Sequence, residues 1–339
     1  MTNDKVLQSA NNCENYADAV SAITSHEGVP SQRVCEIDFL KSLFIILMVV
    51  FHLTLIGKTY PFAKQVVYMF HMPAFLIISG YFIRPDKKTR QFLRNILWLF
   101  VPYAVMETAY TVAAFYLPVT DHINNLTPAI VMHYLFIAPL GPYWYLHTLL
   151  LCSVTSFFVL RLDRIDLLSR FLVLATIWWG LSQMGLVSLS NAFYFLAGVV
   201  IRQTGVGFLS VFRPSAFAIV PFVIICVYAD QLSRGTFSGI AATYLVMCFA
   251  LFVYQFLQGL RIAKVMLFVG RNTLVILLFS PLFTAASKLM QPLFAFDNTG
   301  LLFTFVAVTL TLVGCFSIAW LMDTLHISRF FFGKTRILS

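Results

Sequence analysis

The sequence predicts an all-α integral membrane protein, a bundle of about ten transmembrane helices with both termini cytoplasmic. Composition is the first reason. Hydrophobic residues make up 60% of the 339 and charged residues 11%, with a mean hydropathy of +0.84. A soluble domain carries roughly 45–50% apolar and about 25% charged residues, so a soluble enzyme is excluded. The second reason is length. Apolar runs near the roughly 20 residues that a bilayer-spanning helix needs follow one another closely from residue 37, leaving almost nothing for an extramembrane domain. The third is the distribution of basic residues, which gather in every second loop as cytoplasmic loops require.

Taken in order, residues 1–36 are polar, mixed in charge and lack the early apolar stretch of a cleavable signal. Gly28 and Pro30 break any helix there, so this segment reads as a cytoplasmic tail. The membrane domain covers 37–325. Its predicted spans are 37–57, 64–83, 93–117, 143–160, 167–184, 189–202, 216–230, 239–258, 265–287 and 299–323, of which the fifth and sixth are short. A basic tail, 326–339, closes the chain. No repeat relates the two halves, which weakens a reading as an inverted-repeat transporter. The six cysteines are scattered, with no CxxC and no metal-like spacing. Neither a disulfide framework nor a metal site is expected from them.

Orientation follows from a count. With the amino terminus inside, the inner loops and tails hold seventeen Lys and Arg, and the outer ones hold four: Lys58, Lys64, Arg234 and Lys288. The long 118–142 loop has none. This positive-inside bias also accounts for the net charge of +9 without a nucleic-acid partner.

Two basic residues remain outside that count, Lys41 and Arg271, and both sit within predicted spans. Ionisable groups in a membrane are costly, which makes them functional candidates. The first span, IDFLKSLFIILMVVFH, holds Asp38, Lys41 and His52. At about 100° per residue, Lys41 and His52 share a face, and Asp38 is offset from His52 by about 40°. The rise from Lys41 to His52 is about 16 Å, roughly half the hydrocarbon thickness. A polar stripe is therefore expected from the cytoplasmic edge to beyond mid-membrane. The plain alternative is a snorkelling Lys41 and a hydrogen-bonded core histidine at 52.

Several segments carry a resemblance. The Asp-x-x-Lys start, the ten residues between Lys41 and His52, and MPAFLIISGYFI at 72–83 resemble the integral-membrane acyltransferase-3 family, in particular its branch that O-acetylates surface polysaccharides. The basic stretch 87–94 followed by Pro102, YWYLHTLL at 143–150 and GRNTLVILL at 270–278 fit the same pattern. The resemblance covers about 37–290. Two departures stand out: Lys41 occupies a position where Arg is commoner, and Ser280 one where many members carry a second histidine. The resemblance implies acyl transfer from acyl-CoA, usually acetyl-CoA, to a carbohydrate hydroxyl in a bacterial inner membrane. Acyl-CoA is then a co-substrate, and no bound cofactor is expected.

That chemistry needs a base, and histidine is the commonest near neutral pH. His52 is the best-placed candidate, with Glu107 in the third span as a second catalytic candidate. Lys41, near the cytoplasmic face, suits a phosphate of the donor. Ser79 and Arg271 are further acyl-CoA contacts, Ser79 through a hydrogen bond to the thioester and Arg271 through a second phosphate contact. Asp38, His71, Trp144, Tyr145 and His147 are candidates for a supporting or acceptor pocket. Each has a structural alternative: a core histidine at 71, an aromatic belt at 144–145, and positive-inside placement at 271. Membrane lipids and a carbohydrate acceptor are the expected partners. A transporter or flippase of a lipid-linked sugar is the competing function, because an ionisable stripe also lines substrate paths.

Overall fold

A computed structural model describes residues 34–116, 122–228 and 232–338. The predicted amino-terminal tail lies outside them apart from 34–36. The described chain is helical and contains no strand. Its helices are α1 (Cys35–His52), α2 (Thr54–Thr59), α3 (Pro61–Tyr81), α4 (Thr89–Tyr116), α5 (Pro128–Phe136), α6 (Trp144–Val159), α7 (Leu167–Gln183), α8 (Leu189–Gln203), α9 (Phe208–Val211), α10 (Ile219–Tyr228), α11 (Phe237–Leu257), α12 (Arg261–Arg271), α13 (Thr273–Ala286), α14 (Leu301–Thr324) and α15 (Ser328–Phe331). Short 3-10 turns at Gly141–Tyr143, Ala216–Ala218 and Ser287–Phe294 lead into or out of their neighbours.

Among the described residues, five segments are long and apolar enough to cross a membrane alone: α3, α4, α11, α13 with its following 3-10 turn, and α14. The α5–α6 pair makes a sixth when taken together, bent by 44°. The sequence predicts ten spans, against these five to six among the described residues; α7, α8 and α10, at 17, 15 and 10 residues, are shorter.

Three boundaries differ from expectation, each for a local reason. The first predicted span ends at His52, because Leu53 is extended (φ −67°, ψ 118°) and the chain restarts as α2. The ninth is two helices, broken at Asn272, whose backbone leaves helical geometry (φ −107°, ψ 24°). The predicted 118–142 loop contains α5, capped by Thr127 accepting from the Ile130 amide. Among the described cysteines, Cys35 is disulfide-bonded, while Cys152, Cys226, Cys248 and Cys315 are free.

Two glycine contacts set the helix positions that matter for the site. Where α3 crosses α8, Gly80 and Gly198 face the opposite backbones. A Cβ on Gly80 would run into the Phe195 carbonyl, and one on Gly198 into the Ile77 carbonyl. Small residues allow such close helix approach in membranes. Where α12 meets α1, a Cβ on Gly270 would overlap the Asp38 carbonyl. That approach brings the end of α12, and Arg271 with it, against the first turn of α1. The core between these contacts is apolar and dense, with Leu40, Phe44, Val49, Leu76, Phe195 and Ile276 fully buried.

Candidate functional site

The two ends of α1 carry different chemistry. At its start, Asp38 is held by two cations: Lys41 Nζ lies 2.7 Å from one carboxylate oxygen and Arg271 Nε 3.7 Å from the other. All three side chains are largely shielded, 12–20% exposed. Glu36 and Asp38 in the first turn of α1 also complement the positive end of its dipole. The sequence candidates Asp38, Lys41 and Arg271 are therefore brought together, by the Gly270 contact that the linear spacing did not reveal.

At the other end, His52 is the last residue of α1 and lines a cavity of about 650 Å³. Its Nδ1 is 2.7 Å from the Met48 carbonyl oxygen. A carbonyl can only accept, so Nδ1 carries the hydrogen and Nε2 keeps the basic lone pair. His71 has the same arrangement, with Nδ1 2.7 Å from the Val67 carbonyl, and lines the same cavity. Tyr68 stands between the two imidazoles, its ring centroid 6.1 Å from His52 and 5.2 Å from His71. Its hydroxyl donates to the Phe51 carbonyl at 3.3 Å. Trp144 and Pro142 approach from the start of α6, Leu277 from α13, and Ser233 and Arg234 from the loop before α11.

The expected stripe is polar at its ends alone. On the face of α1 shared by Lys41 and His52, the intervening positions are Ile45 and Met48, both buried. Met48 also lines the cavity, so an unbranched, adaptable side chain separates His52 from the charged end.

The remaining candidates divide differently. Glu107, fully buried, does not line the cavity. One of its carboxylate oxygens accepts from the Leu140 amide at 2.8 Å. His147 does not line it either; its Nε2–H donates to the Phe136 carbonyl at 2.9 Å. Tyr103, which the sequence reading passed over, donates to the Leu135 carbonyl at 2.7 Å. The Leu135 and Phe136 carbonyls end α5, and the Leu140 amide lies in the break between α5 and α6. Broken helices in membranes are tolerated where freed backbone groups find new partners, and Glu107, His147 and Tyr103 supply them. Gly141 sits in the break with φ +54°, packed so that a Cβ would press on the Tyr110 ring. The break thus delivers Pro142 and Trp144 to the cavity wall. Ser79 and Tyr145 pair with each other, oxygen to oxygen at 2.7 Å, away from the cavity lining. Ser280 is buried in α13 one turn beyond Leu277.

The polar cavity residues missed from sequence are Lys64, Gln65, Tyr68, Ser233 and Arg234. Two of them left a signal: Lys64 and Arg234 are half of the four basic residues that the charge count put outside. Among the described residues, no group of three or more His, Cys, Asp or Glu is placed to hold a metal ion.

Comparison with known proteins adds the family. No curated protein and no solved structure matches the chain. The family model of the acyltransferase domain, Acyl_transf_3, matches residues 36–320, from the first turn of α1 to the last part of α14. Because that match takes in both ends of α1 and every helix around the cavity, the chain belongs to the acyltransferase-3 family and is a membrane-embedded acyltransferase.

Proposed function

We propose that the protein is an O-acyltransferase that moves an acetyl group from acetyl-CoA to a sugar hydroxyl of a surface polysaccharide or glycolipid, with His52 as general base. The observation that carries this reading is the fixed tautomer of His52. Its Nδ1–H is engaged by the Met48 carbonyl, which leaves a basic Nε2 on a ring that lines a sugar-sized cavity.

A hydroxyl is a weak nucleophile until a positioned base takes its proton. His52 Nε2 accepts that proton as the acceptor oxygen attacks the thioester carbonyl. The tetrahedral intermediate collapses with cleavage of the C–S bond, and the imidazolium returns its proton to the departing CoA sulfur. His71, one tyrosine away in the same lone-pair state, is the second imidazole of the cavity. It takes the part that Ser280 cannot.

The donor's phosphates are assigned to the other end of α1. Lys41 and Arg271 there already share one carboxylate, and a phosphate exchanges for part of that pairing without either cation losing all its partners. The charge count puts this end at the cytoplasm, where acyl-CoA resides, and puts His52 toward the outside of a bacterial inner membrane. Both termini are then cytoplasmic. The pantetheine arm runs along α1 past Met48.

The test is release of free CoA by the full chain in detergent, given acetyl-CoA and a broad panel of glycan acceptors. Acceptor-dependent release that disappears in His52→Ala and His52→Gln supports the assignment. Acceptor-dependent release that persists in His52→Gln removes His52 from the base role. No release across the panel, together with no binding of acetyl-CoA, overturns the acyl-transfer reading.

A further inference from the structure

The His52 cavity contains two cations that the acyl-transfer step does not use. Lys64 stands on the first turn of α3 and Arg234 in the loop before α11, and both line the cavity. Both are half-buried. The Arg234 guanidinium lies 5.0 Å from the Trp144 ring centroid, and the Lys64 ammonium 5.3 Å from that of Tyr68. Among the described residues neither forms an ion pair with a carboxylate, whereas Lys41 and Arg271 share Asp38 and Arg170 meets Asp163. Asp230, the acid nearest Arg234 in sequence, lies outside the described residues.

This placement has a cost. Partly desolvating a cation without an anionic partner is unfavourable. It also runs against the charge sorting of the chain, since the outer loops hold four basic residues and two of them converge on one cavity. Stacking on Trp144 keeps the guanidinium fork ordered for bidentate contact with a carboxylate or phosphate. Lys64 over Tyr68 adds a point charge beside the ring that separates the two imidazoles.

We infer that this cavity selects an acidic acceptor, a sugar whose carboxylate or phosphate is held by Lys64 and Arg234 while a neighbouring hydroxyl is presented to His52. The inference rests on the acyl-transfer reading for the word acceptor; the anion site itself does not depend on it. The donor's own phosphates are the competing occupant, and the separation of the two ends of α1 argues against them.

Isothermal calorimetry on the full chain in detergent at low salt decides the matter, with glucuronate, glucose 1-phosphate, glucose and CoA as the probes. At least one acidic sugar is expected to bind about tenfold or more tightly than glucose, the margin of one charge-assisted contact. Whichever acid binds identifies the group as carboxylate or phosphate. Lys64→Gln and Arg234→Gln should each remove that margin and leave glucose unchanged, and Lys64→Arg should retain it, which separates charge from misfolding. Added salt should weaken the acid and not glucose. Equal binding of acids and glucose, no measurable acid binding at millimolar concentration, a margin that survives both Gln variants, or a loss of CoA affinity in those variants would each overturn the inference. CoA release to neutral sugars without acid preference would sink the anion site and leave acyl transfer standing. Acid binding with neither CoA release across the panel nor binding of acetyl-CoA would do the reverse.

Discussion

The start and the end of α1 lie on one helix about 25 Å long, yet they solve the problem of charge in a membrane in opposite ways. At the start, Asp38 pairs with both Lys41 and Arg271, and Gly270 locks the arrangement by seating α12 on the Asp38 backbone. At the end, two imidazoles and two cations surround a cavity with no carboxylate paired to them among the described residues. At the first end each cation has a carboxylate in contact. At the second, neither Lys64 nor Arg234 has one among the described residues. The difference teaches that intramembrane charge by itself does not mark the reacting centre, and that the partners of each charge do.

The most severe way to break this comparison is at His52. His52→Gln should lower acceptor-dependent turnover by about 10²- to 10⁴-fold, the usual range for loss of a general base, with an unchanged thermal midpoint. A fall in the midpoint that matches the loss of turnover would make His52 a structural residue like those at the other end. Asp38→Asn should act in the opposite manner, on stability. It strands two shielded cations and should cost about 3 kcal/mol, the lower end for removing one partner of a buried pair. Calorimetric unfolding checks this, and adding Arg271→Met should restore part of the loss. An unaltered midpoint in Asp38→Asn would show that the trio is not closed.

Met48 divides the two ends and gives the next test. Met48→Ala should destabilise by about 2 kcal/mol and extend donor use from acetyl-CoA to longer acyl chains, read from rates with propionyl- and butyryl-CoA. Unchanged chain selectivity would mean that the donor does not pass this side chain. At Lys41 the effect should be smaller and specific to the donor. Lys41→Met is expected to weaken acyl-CoA affinity about tenfold with little change in turnover, while Lys41→Arg, which keeps the charge, stays near the parent in direct binding. A Met variant that binds acyl-CoA normally leaves Lys41 as a partner of Asp38 alone.

Glu107→Gln should do least. Its amide oxygen still accepts from Leu140, so turnover should change by no more than about fivefold, the difference between a charged and a neutral hydrogen bond. A loss of a hundredfold in the acyl-transfer assay would return Glu107 to the reacting centre and make the α5–α6 break part of the chemistry.

By itself the sequence determined the helical membrane class and the limits of several apolar helices to within a few residues, and it put Asp38, Lys41 and His52 on one helix. These are consequences of composition and of the 3.6-residue period, which are written in one dimension. Spans three, five, six, eight and ten coincide closely with α4, α7, α8, α11 and α14 because each is a continuous apolar run between polar loops. What tertiary structure decided is how groups far apart in the chain meet. Arg271 reaches Asp38 because Gly270 has no side chain, and Glu107 and His147 serve the α5–α6 break because freed backbone groups need partners in a membrane. His52 ends its helix because Leu53 turns extended, and that turn opens the cavity in which Lys64, His71, Trp144 and Arg234 converge. Periodicity fixes which face of a helix a residue occupies; it carries no information about which other helix that face will meet.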